Sequence, residues 1–265
     1  MVSSAVDHTF DTVDEKVAEA ELFLQKMAKV SFAPATFNSY LSAFLSACRT
    51  VTLALQQFTQ IPGFLEWYEP HRDRLKTDQL AKFFLEARND HLHGGPSVAP
   101  SARVLGDDVK YFFRKSEKGY TPTVDVLTAC RNYFILLLEI VYDCYVKLGV
   151  HIDPQQYFTK EHFASEGRGI DHAEGELYGW IMTSLIEEGW DDDDRWQELR
   201  AHVDECKINH LFFSYLGRPT PQPIVPEHFE DFAYTPEERG WLYVPAGFAS
   251  LEDYEKSRSL LLLKL

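Results

Sequence analysis

This chain of 265 residues lacks closely spaced cysteine pairs, the residue pattern of a signal peptide and a long apolar run. Its four cysteines are widely spaced and form no Cys-x-x-Cys pair, so we expect reduced, mostly buried thiols, as in a cytosolic protein: Cys48, Cys130, Cys144 and Cys206. The N-terminus has no basic start followed by an apolar stretch. The most apolar stretch, Tyr133 to Tyr142, is short and contains Glu139, which excludes a membrane span there. We therefore expect a cytoplasmic protein without a membrane partner.

Sequence fingerprints of the common catalytic and nucleotide-binding sites are missing as well. The chain contains no Walker A motif, no G-x-G-x-x-G, no H-E-x-x-H and no G-x-S-x-G. It also shows no internal repeat. These absences disfavour a P-loop enzyme, a dinucleotide-binding enzyme, a zincin and an α/β-hydrolase. We expect neither a cofactor nor a metal ion.

Basic residues are scarce, and the shortage is uneven along the chain. The formal net charge is −15, from 26 Lys and Arg against 41 Asp and Glu. Residues 1–150 hold 16 basic and 18 acidic residues, whereas residues 151–265 hold 10 and 23. An acidic surface repels nucleic-acid phosphates, so any nucleic-acid role belongs to the first part and needs a local basic patch or a partner that covers the acidic region. The acidic C-terminal region is itself a candidate surface for a protein partner.

Apolar residues at helical spacing predict a mainly α protein. Four long amphipathic helices are predicted in the first part, at about 11–30, 36–60, 79–92 and 123–148, with a shorter helical segment at 64–75 and a strand at 109–113. This pattern is typical of a four-helix bundle, which we assign to residues 1–150. Residues 151–265 form an appended, acidic, partly helical region with an irregular proline-rich tail.

Within the acidic region, helices are predicted at about 155–165, 171–188 and 192–216. The run Asp191 to Asp194 would lie at the N-terminus of the last of these helices, where negative charge is favourable.

One segment carries a pattern suited to chemistry. It is Ala87-Arg-Asn-Asp-His-Leu-His93, at the end of a predicted helix that Gly94-Gly95-Pro96 terminates. Arginine binds phosphate oxygens with a planar guanidinium fork, and histidine exchanges protons near neutral pH. Arg88 and His93 together suit cleavage of an RNA phosphodiester by its own 2′-hydroxyl, without a metal ion.

This segment resembles the Arg-Asn-x-x-x-His signature of the HEPN family. The stretch Tyr40 to Leu55 also resembles the second helix of uncharacterised bacterial members, and the resemblance extends over about residues 10–150. It implies a four- to five-helix up-and-down bundle that dimerises. In active members of the family, Arg and His from two subunits line one cleft for metal-independent RNA cleavage. Many members act as toxins, as antiviral effectors or with nucleotidyltransferases. Others have lost catalysis and serve as binding modules.

The resemblance implies a catalytic pair, Arg88 and His93, with Asn89 as the polar neighbour that orients them. It further implies a homodimer, an RNA substrate and an endoribonuclease of the toxin or defence type. The alternative is a non-catalytic module of the same kind that binds a nucleotide or a protein partner. Five residues of ideal helix turn through about 140°, so Arg88 and His93 share a cleft only if the helix frays or a second subunit completes the site.

Two further residues are candidates for substrate binding. His91 either replaces His93 or faces the bundle or the partner subunit. Arg49, on the second predicted helix, either lines the cleft or forms a surface salt bridge. A metal site made of His91 and His93 with neighbouring carboxylates is the less favoured alternative, because ligands two residues apart do not converge on a helix.

Overall fold

The protein is mainly α-helical, as the sequence predicts. A computed structural model describes residues 10–92, 99, 101–105, 108–115, 119–204 and 206–221. All of them belong to one compact unit, which spans residues 1–224.

The described residues of the first part form five α-helices, a short 3-10 helix (Gln56–Gln60) and one β-hairpin. The helices are α1 (Asp11–Ala28), α2 (Pro34–Leu55), α3 (Phe64–Thr77), α4 (Gln79–Leu92) and α5 (Val126–Ile152). The antiparallel hairpin consists of β1 (Ser101–Leu105) and β2 (Asp108–Phe112). Pro34 begins α2 at the position where its missing N–H costs nothing, and Asp125 caps α5 by accepting a hydrogen bond from the Thr128 N–H at 3.0 Å.

The apolar faces predicted for the amphipathic helices form the core of this bundle. Aromatic side chains fill it, and the largest fully buried ones include Phe44 on α2, Phe84 on α4, and Phe134 and Tyr145 on α5. Phe44 and Phe84 meet edge to face, with ring centroids 6.5 Å apart. Burying a ring of this size stabilises the fold by roughly 2 to 3 kcal/mol. The bundle is thus held mainly by apolar contact between long helices.

The hairpin packs against one end of the bundle. The ring of Tyr111 stacks on Phe37 with a centroid distance of 3.8 Å. Its hydroxyl donates to the Ser31 carbonyl at 2.9 Å and accepts from the Ala33 N–H at 3.0 Å. The hairpin is therefore fixed to the loop between α1 and α2.

The described residues of the second part form six shorter helices. They are α6 (Pro154–Tyr157), α7 (Lys160–Ser165), α8 (Ile170–Leu177), α9 (Thr183–Glu187), α10 (Asp192–Ala201) and α11 (Asn209–Leu211), followed by a single π-helical turn, Phe212–Leu216. The predicted helices at 171–188 and 192–216 are wrong as continuous helices. Gly179 and Gly189 adopt positive φ angles of 83° and 92°, and these turns end α8 and α9 early. Asp191 to Asp194 do form the N-terminus of α10, as predicted.

This second part has a small core of its own. Its seven buried apolar members are Phe158, Phe163, Ile170, Ala173, Trp196, Leu199 and Val203. Ile208, Leu211 and Phe212 belong instead to the core of the bundle. The chain thus leaves the bundle after α5, builds a second cluster and returns. The predicted division into residues 1–150 and 151–265 stays a prediction.

A buried carboxylate fixes the returning segment. Asp14 of α1 is buried and accepts hydrogen bonds from the Tyr145 hydroxyl at 2.8 Å and the Lys207 N–H at 2.7 Å. Burial raises the pKa of Asp14 to about 6, and these hydrogen bonds oppose part of that shift.

The four cysteines are free thiols, and burial raises the pKa of each. In the described part of the chain, no helix is long and apolar enough to cross a bilayer.

Candidate functional site

Arg88 and Asn89 lie in the last turn and a half of α4. This helix begins at the Asp78 cap, whose carboxylate accepts the Ala81 N–H at 2.8 Å. Phe83, Phe84 and Ala87 face the core, which leaves Arg88 half-buried and Asn89 exposed. Arg88 Nη1 donates to Asn89 Oδ1 at 3.2 Å. The predicted neighbours are therefore in contact with each other.

The guanidinium of Arg88 is not saturated with hydrogen bonds. Its Nε is buried and has no hydrogen-bond partner among the residues that the structure describes. A buried N–H without a partner costs about 1 to 3 kcal/mol, and an anion at this position would remove that cost. Arg88 can thus serve as a contact for a phosphate or a carboxylate.

The histidines of the motif cannot be placed beside Arg88. His93 follows Leu92, the last residue of α4, and lies outside the described residues. His91 lies in α4, but its side chain is likewise outside them. The pairing of Arg88 with His93, the shared cleft of a homodimer and RNA cleavage all stay predictions.

Arg49 lies on α2, toward the start of α4 rather than its end. It donates from Nη1 to Thr52 Oγ1 at 3.2 Å. Burial raises the pKa of Tyr133, and the charges of Arg49 and of Asp78, the cap of α4, also act on this hydroxyl. Arg49 and Asp78 therefore both lie near Tyr133, at the start of α4. Asp78 and Arg88 are ten residues apart, which is about 15 Å along a helix. A role for Arg49 in the same cleft as Arg88 stays a prediction.

A polar contact between α3 and α5 has the residue types of a catalytic site, but its geometry is structural. Asp143 Oδ2 accepts from Trp67 Nε1 at 2.8 Å and lies 2.9 Å from His71 Nε2. Arg74 and Glu139 pair at 2.6 Å across the same two helices. These contacts tie α3 to the bundle. No group of three His, Cys, Asp or Glu side chains among the described residues could hold a metal ion.

A buried ion pair, which the sequence did not reveal, organises the second part. Glu174 on α8 is fully buried and Arg195 on α10 is 4% exposed. Arg195 donates from Nε to Glu174 Oε1 at 2.9 Å and from Nη2 to Oε2 at 2.7 Å. Asp171 also pairs with Nη2, at 2.6 Å. A two-pronged pair of this kind is strong and directional, so it fixes α8 against α10.

The same pair holds the segment that follows α8. The free lone pairs of Glu174 Oε2 accept the Met182 N–H at 2.8 Å, which pins the backbone two residues after Trp180. We call residues 178–190 the Trp180 loop. Its two-residue apolar tip is exposed: Trp180 retains 65% of its surface and Ile181 retains 42%. Ile186, on α9, is 47% exposed.

The Trp180 loop is surrounded in sequence by carboxylates. Residues 170–200 contain ten Asp or Glu and two Arg. Asp191 to Asp194 are all exposed. The loop therefore combines exposed apolar side chains with an acidic surround. Sequence reasoning missed this feature because Leu177, Ile181 and Leu185 have the spacing of one continuous amphipathic helix. Gly179 was the one indication in the sequence that the helix ends before Trp180.

Comparison with known proteins corrects the family expectation. Residues 8–98 match the family described as bacteriophage lambda protein ea47. This segment contains α1 to α4 and the whole Arg-Asn-x-x-x-His motif, so the HEPN resemblance was wrong. The ribonuclease and toxin assignments that rested on it lose their support. Neither the curated proteins nor the solved structures gave a match. Over about a third of its length, the chain is thus similar to the phage lambda Ea47 family.

Proposed function

We propose that this protein is a non-catalytic binding module that engages a basic protein partner through the Trp180 loop. The observation that carries the proposal is the exposure of Trp180 on a backbone held in place by a buried ion pair. A tryptophan left in water does not contribute the free energy of folding, about 2 kcal/mol or more, that burial of its ring would give. Tryptophan is also the side chain most enriched among the residues that dominate protein interfaces.

Rigidity supports a role in recognition. The Met182 N–H is bonded to Glu174, and the Gly189 and Trp190 amides close the far side of the loop on Ile186 and Leu185 at 3.1 and 3.0 Å. A loop ordered before it binds loses less conformational entropy on association. The hydrogen bonds at the two sides of the Trp180 loop therefore lower the entropic cost of binding.

The chemistry of the partner follows from the charges. Eight exposed carboxylates in residues 170–200 repel an acidic surface and attract a basic one. The exposed Trp180 and Ile181 require an apolar pocket or stripe on the partner. A surface with Lys or Arg around apolar residues meets both requirements. The free thiols fit a reducing compartment, and we place this function in the cytoplasm.

The test uses synthetic peptides, because the chemistry of the partner is specified although its identity is not. Isothermal titration calorimetry would compare a helical peptide of Lys and Leu with a matched peptide of Glu and Leu. We expect the basic peptide to bind wild type and the acidic one not to bind. Trp180→Ala should weaken binding at least about tenfold, the usual size of an interface tryptophan effect.

Leu65→Ala is the matched control. Leu65 is an exposed apolar residue on α3 (58%), away from the acidic region, and its loss should leave the affinity unchanged. Equal affinity of wild type and Trp180→Ala would contradict the proposal, as would equal binding of the two peptides.

A further inference from the structure

One end of the bundle differs in charge from the rest of the molecule. The elements that meet there are the α1–α2 loop, the C-terminal half of α4 and the hairpin. Tyr111 joins the hairpin to Ser31 and Ala33, and Phe113 packs edge to face on Phe83 of α4 at 4.9 Å. Residues 26–38, 82–92 and 101–115 contain eight Lys or Arg against four Asp or Glu. We call this the basic end.

Several cations of the basic end are not used by the fold. Within the described chain, Lys29, Arg103, Arg114 and Lys115 form no ion pair, and all four are exposed. Arg103 instead lies over the ring of Phe112 at 4.9 Å. Arg88 contributes its unsatisfied Nε on the adjoining helix. In a chain with a net charge of −15, a cluster of unpaired cations has no evident part in stability.

An exposed aromatic ring lies in the α1–α2 loop, which the hairpin contacts through Tyr111. Phe32 retains 65% of its surface. Its neighbours on both sides are fixed, because the Tyr111 hydroxyl binds the Ser31 carbonyl and the Ala33 N–H. The fold therefore presents this ring to solvent from a rigid turn. Aromatic rings interleaved with cations are the usual platform on which unpaired nucleobases stack.

We propose that the basic end binds single-stranded nucleic acid, with Phe32 stacking on a base and the surrounding Lys and Arg side chains contacting phosphates. A duplex keeps its bases stacked inside and offers nothing to Phe32, which favours a single strand. This site is separate from the Trp180 loop, and the proposal does not depend on the protein-binding function.

Fluorescence anisotropy with labelled oligothymidylate, oligouridylate and duplex DNA of equal length tests the proposal. Wild type should bind the single strands more tightly than the duplex, and the DNA and RNA arms distinguish which sugar is preferred. Phe32→Ala should weaken binding to the single strand at least about fivefold, and leave binding of inorganic polyphosphate unchanged. Lys115→Ala should weaken both ligands and lower the salt slope for the single strand by about 0.7.

Lys147→Ala provides the matched charge control, because Lys147 is exposed on α5 two residues after Tyr145, which binds Asp14. It should leave oligonucleotide binding unchanged. Circular dichroism verifies that each surface variant keeps its helix content. Failure of wild type to bind any oligonucleotide at low salt would overturn the proposal. So would equal affinity of wild type, Phe32→Ala and Lys115→Ala, or preferential binding of an acidic polypeptide.

Discussion

The helical bundle and the region from Asp153 to Val203 are stabilised in different ways. The bundle uses helices of up to 27 residues and a continuous apolar core. The second region uses helices of four to ten residues around only seven buried apolar side chains. It compensates with polar contacts such as the Glu174–Arg195 pair and the bonds from Arg200 to the Gln155 and Phe158 carbonyls, both 2.9 Å.

The difference in helix length decides which region can carry loops at its surface. Long apolar helices leave few backbone groups without helical partners, whereas short helices expose many ends and turns. The second region can therefore carry loops such as residues 178–190 at its surface. Its stability then depends on a few buried polar atoms. Four predictions test this comparison, beginning with the largest expected effect.

Truncating a buried ring should destabilise the two regions on different scales. Phe84→Ala on α4 removes a ring in the bundle core and should lower the global free energy of unfolding by about 4 kcal/mol. Phe163→Ala removes an equally buried ring from the smaller core, and should open residues 157–203 while the bundle stays folded. Urea denaturation with hydrogen exchange measures both effects. A global loss of similar size in both variants would mean that the two cores unfold as one.

Breaking the buried ion pair should cost the second region at least about 3 kcal/mol. Glu174→Ala leaves the Arg195 guanidinium buried without its main partner and releases the Met182 N–H. Exchange of the amides in residues 178–190 should accelerate while that of α2 and α5 does not change. The double variant Glu174→Leu, Arg195→Met should recover much of the stability. No change in the single variant would show that the pair is dispensable.

The buried carboxylate of Asp14 should make bundle stability depend on pH. Its pKa is about 6 in the fold and 3.8 as the ordinary value, so the folded state binds more protons between these values. The contribution of Asp14 is therefore most favourable below pH 4, falls as pH rises through 4 to 6, and stays low above that. The total change is at most about 3 kcal/mol.

Denaturation of wild type and Asp14→Asn across this range isolates the effect. The difference in unfolding free energy between the two should shrink or reverse as pH rises to 6. Tyr145, Cys206, Lys207 and Asp11 face Asp14 and are unchanged in both proteins. Asp73→Asn on α3, an exposed residue paired with Lys76 at 3.4 Å, should retain the wild-type profile. A constant difference between wild type and Asp14→Asn would refute this assignment.

The smallest predicted effects are at helix caps, one in each region. Asp125→Ala removes the cap of α5, and Asp191→Ala removes the acceptor of the Asp193 and Asp194 amides in α10. Each should cost about 1 kcal/mol. The first should appear in global unfolding and the second only as faster exchange in α10. Identical effects of the two on global unfolding would argue against the separation of the regions.

The bundle could be predicted because its long helices repeat one simple pattern. The stripe from Phe37 to Leu55 specifies a buried face, and α2 was found over Pro34–Leu55 with the same residues in the core. Pattern reasoning failed where it was applied to short elements. Ile181 fits a helical stripe after Leu177, but the Gly179 turn places it at the surface.

The polar clusters could not be predicted, because their members are distant in sequence. Asp14 and Lys207 are separated by most of the chain, and Glu174 and Arg195 lie on helices with another helix between them. No local pattern marks such pairs. The motif at Arg88 was correctly placed on a helix end, but the family inferred from it was wrong. A six-residue motif and one similar helix, Tyr40 to Leu55, were too little sequence to identify the family.

The most direct test of the account is hydrogen exchange of the full chain with and without the Lys and Leu peptide. Protection confined to residues 178–190 and the adjoining first turn of α10, with no change at the basic end, is the predicted result. Protection centred on another surface, or none at saturating peptide, would contradict the claim that the acidic second region presents the Trp180 loop as a protein-binding site.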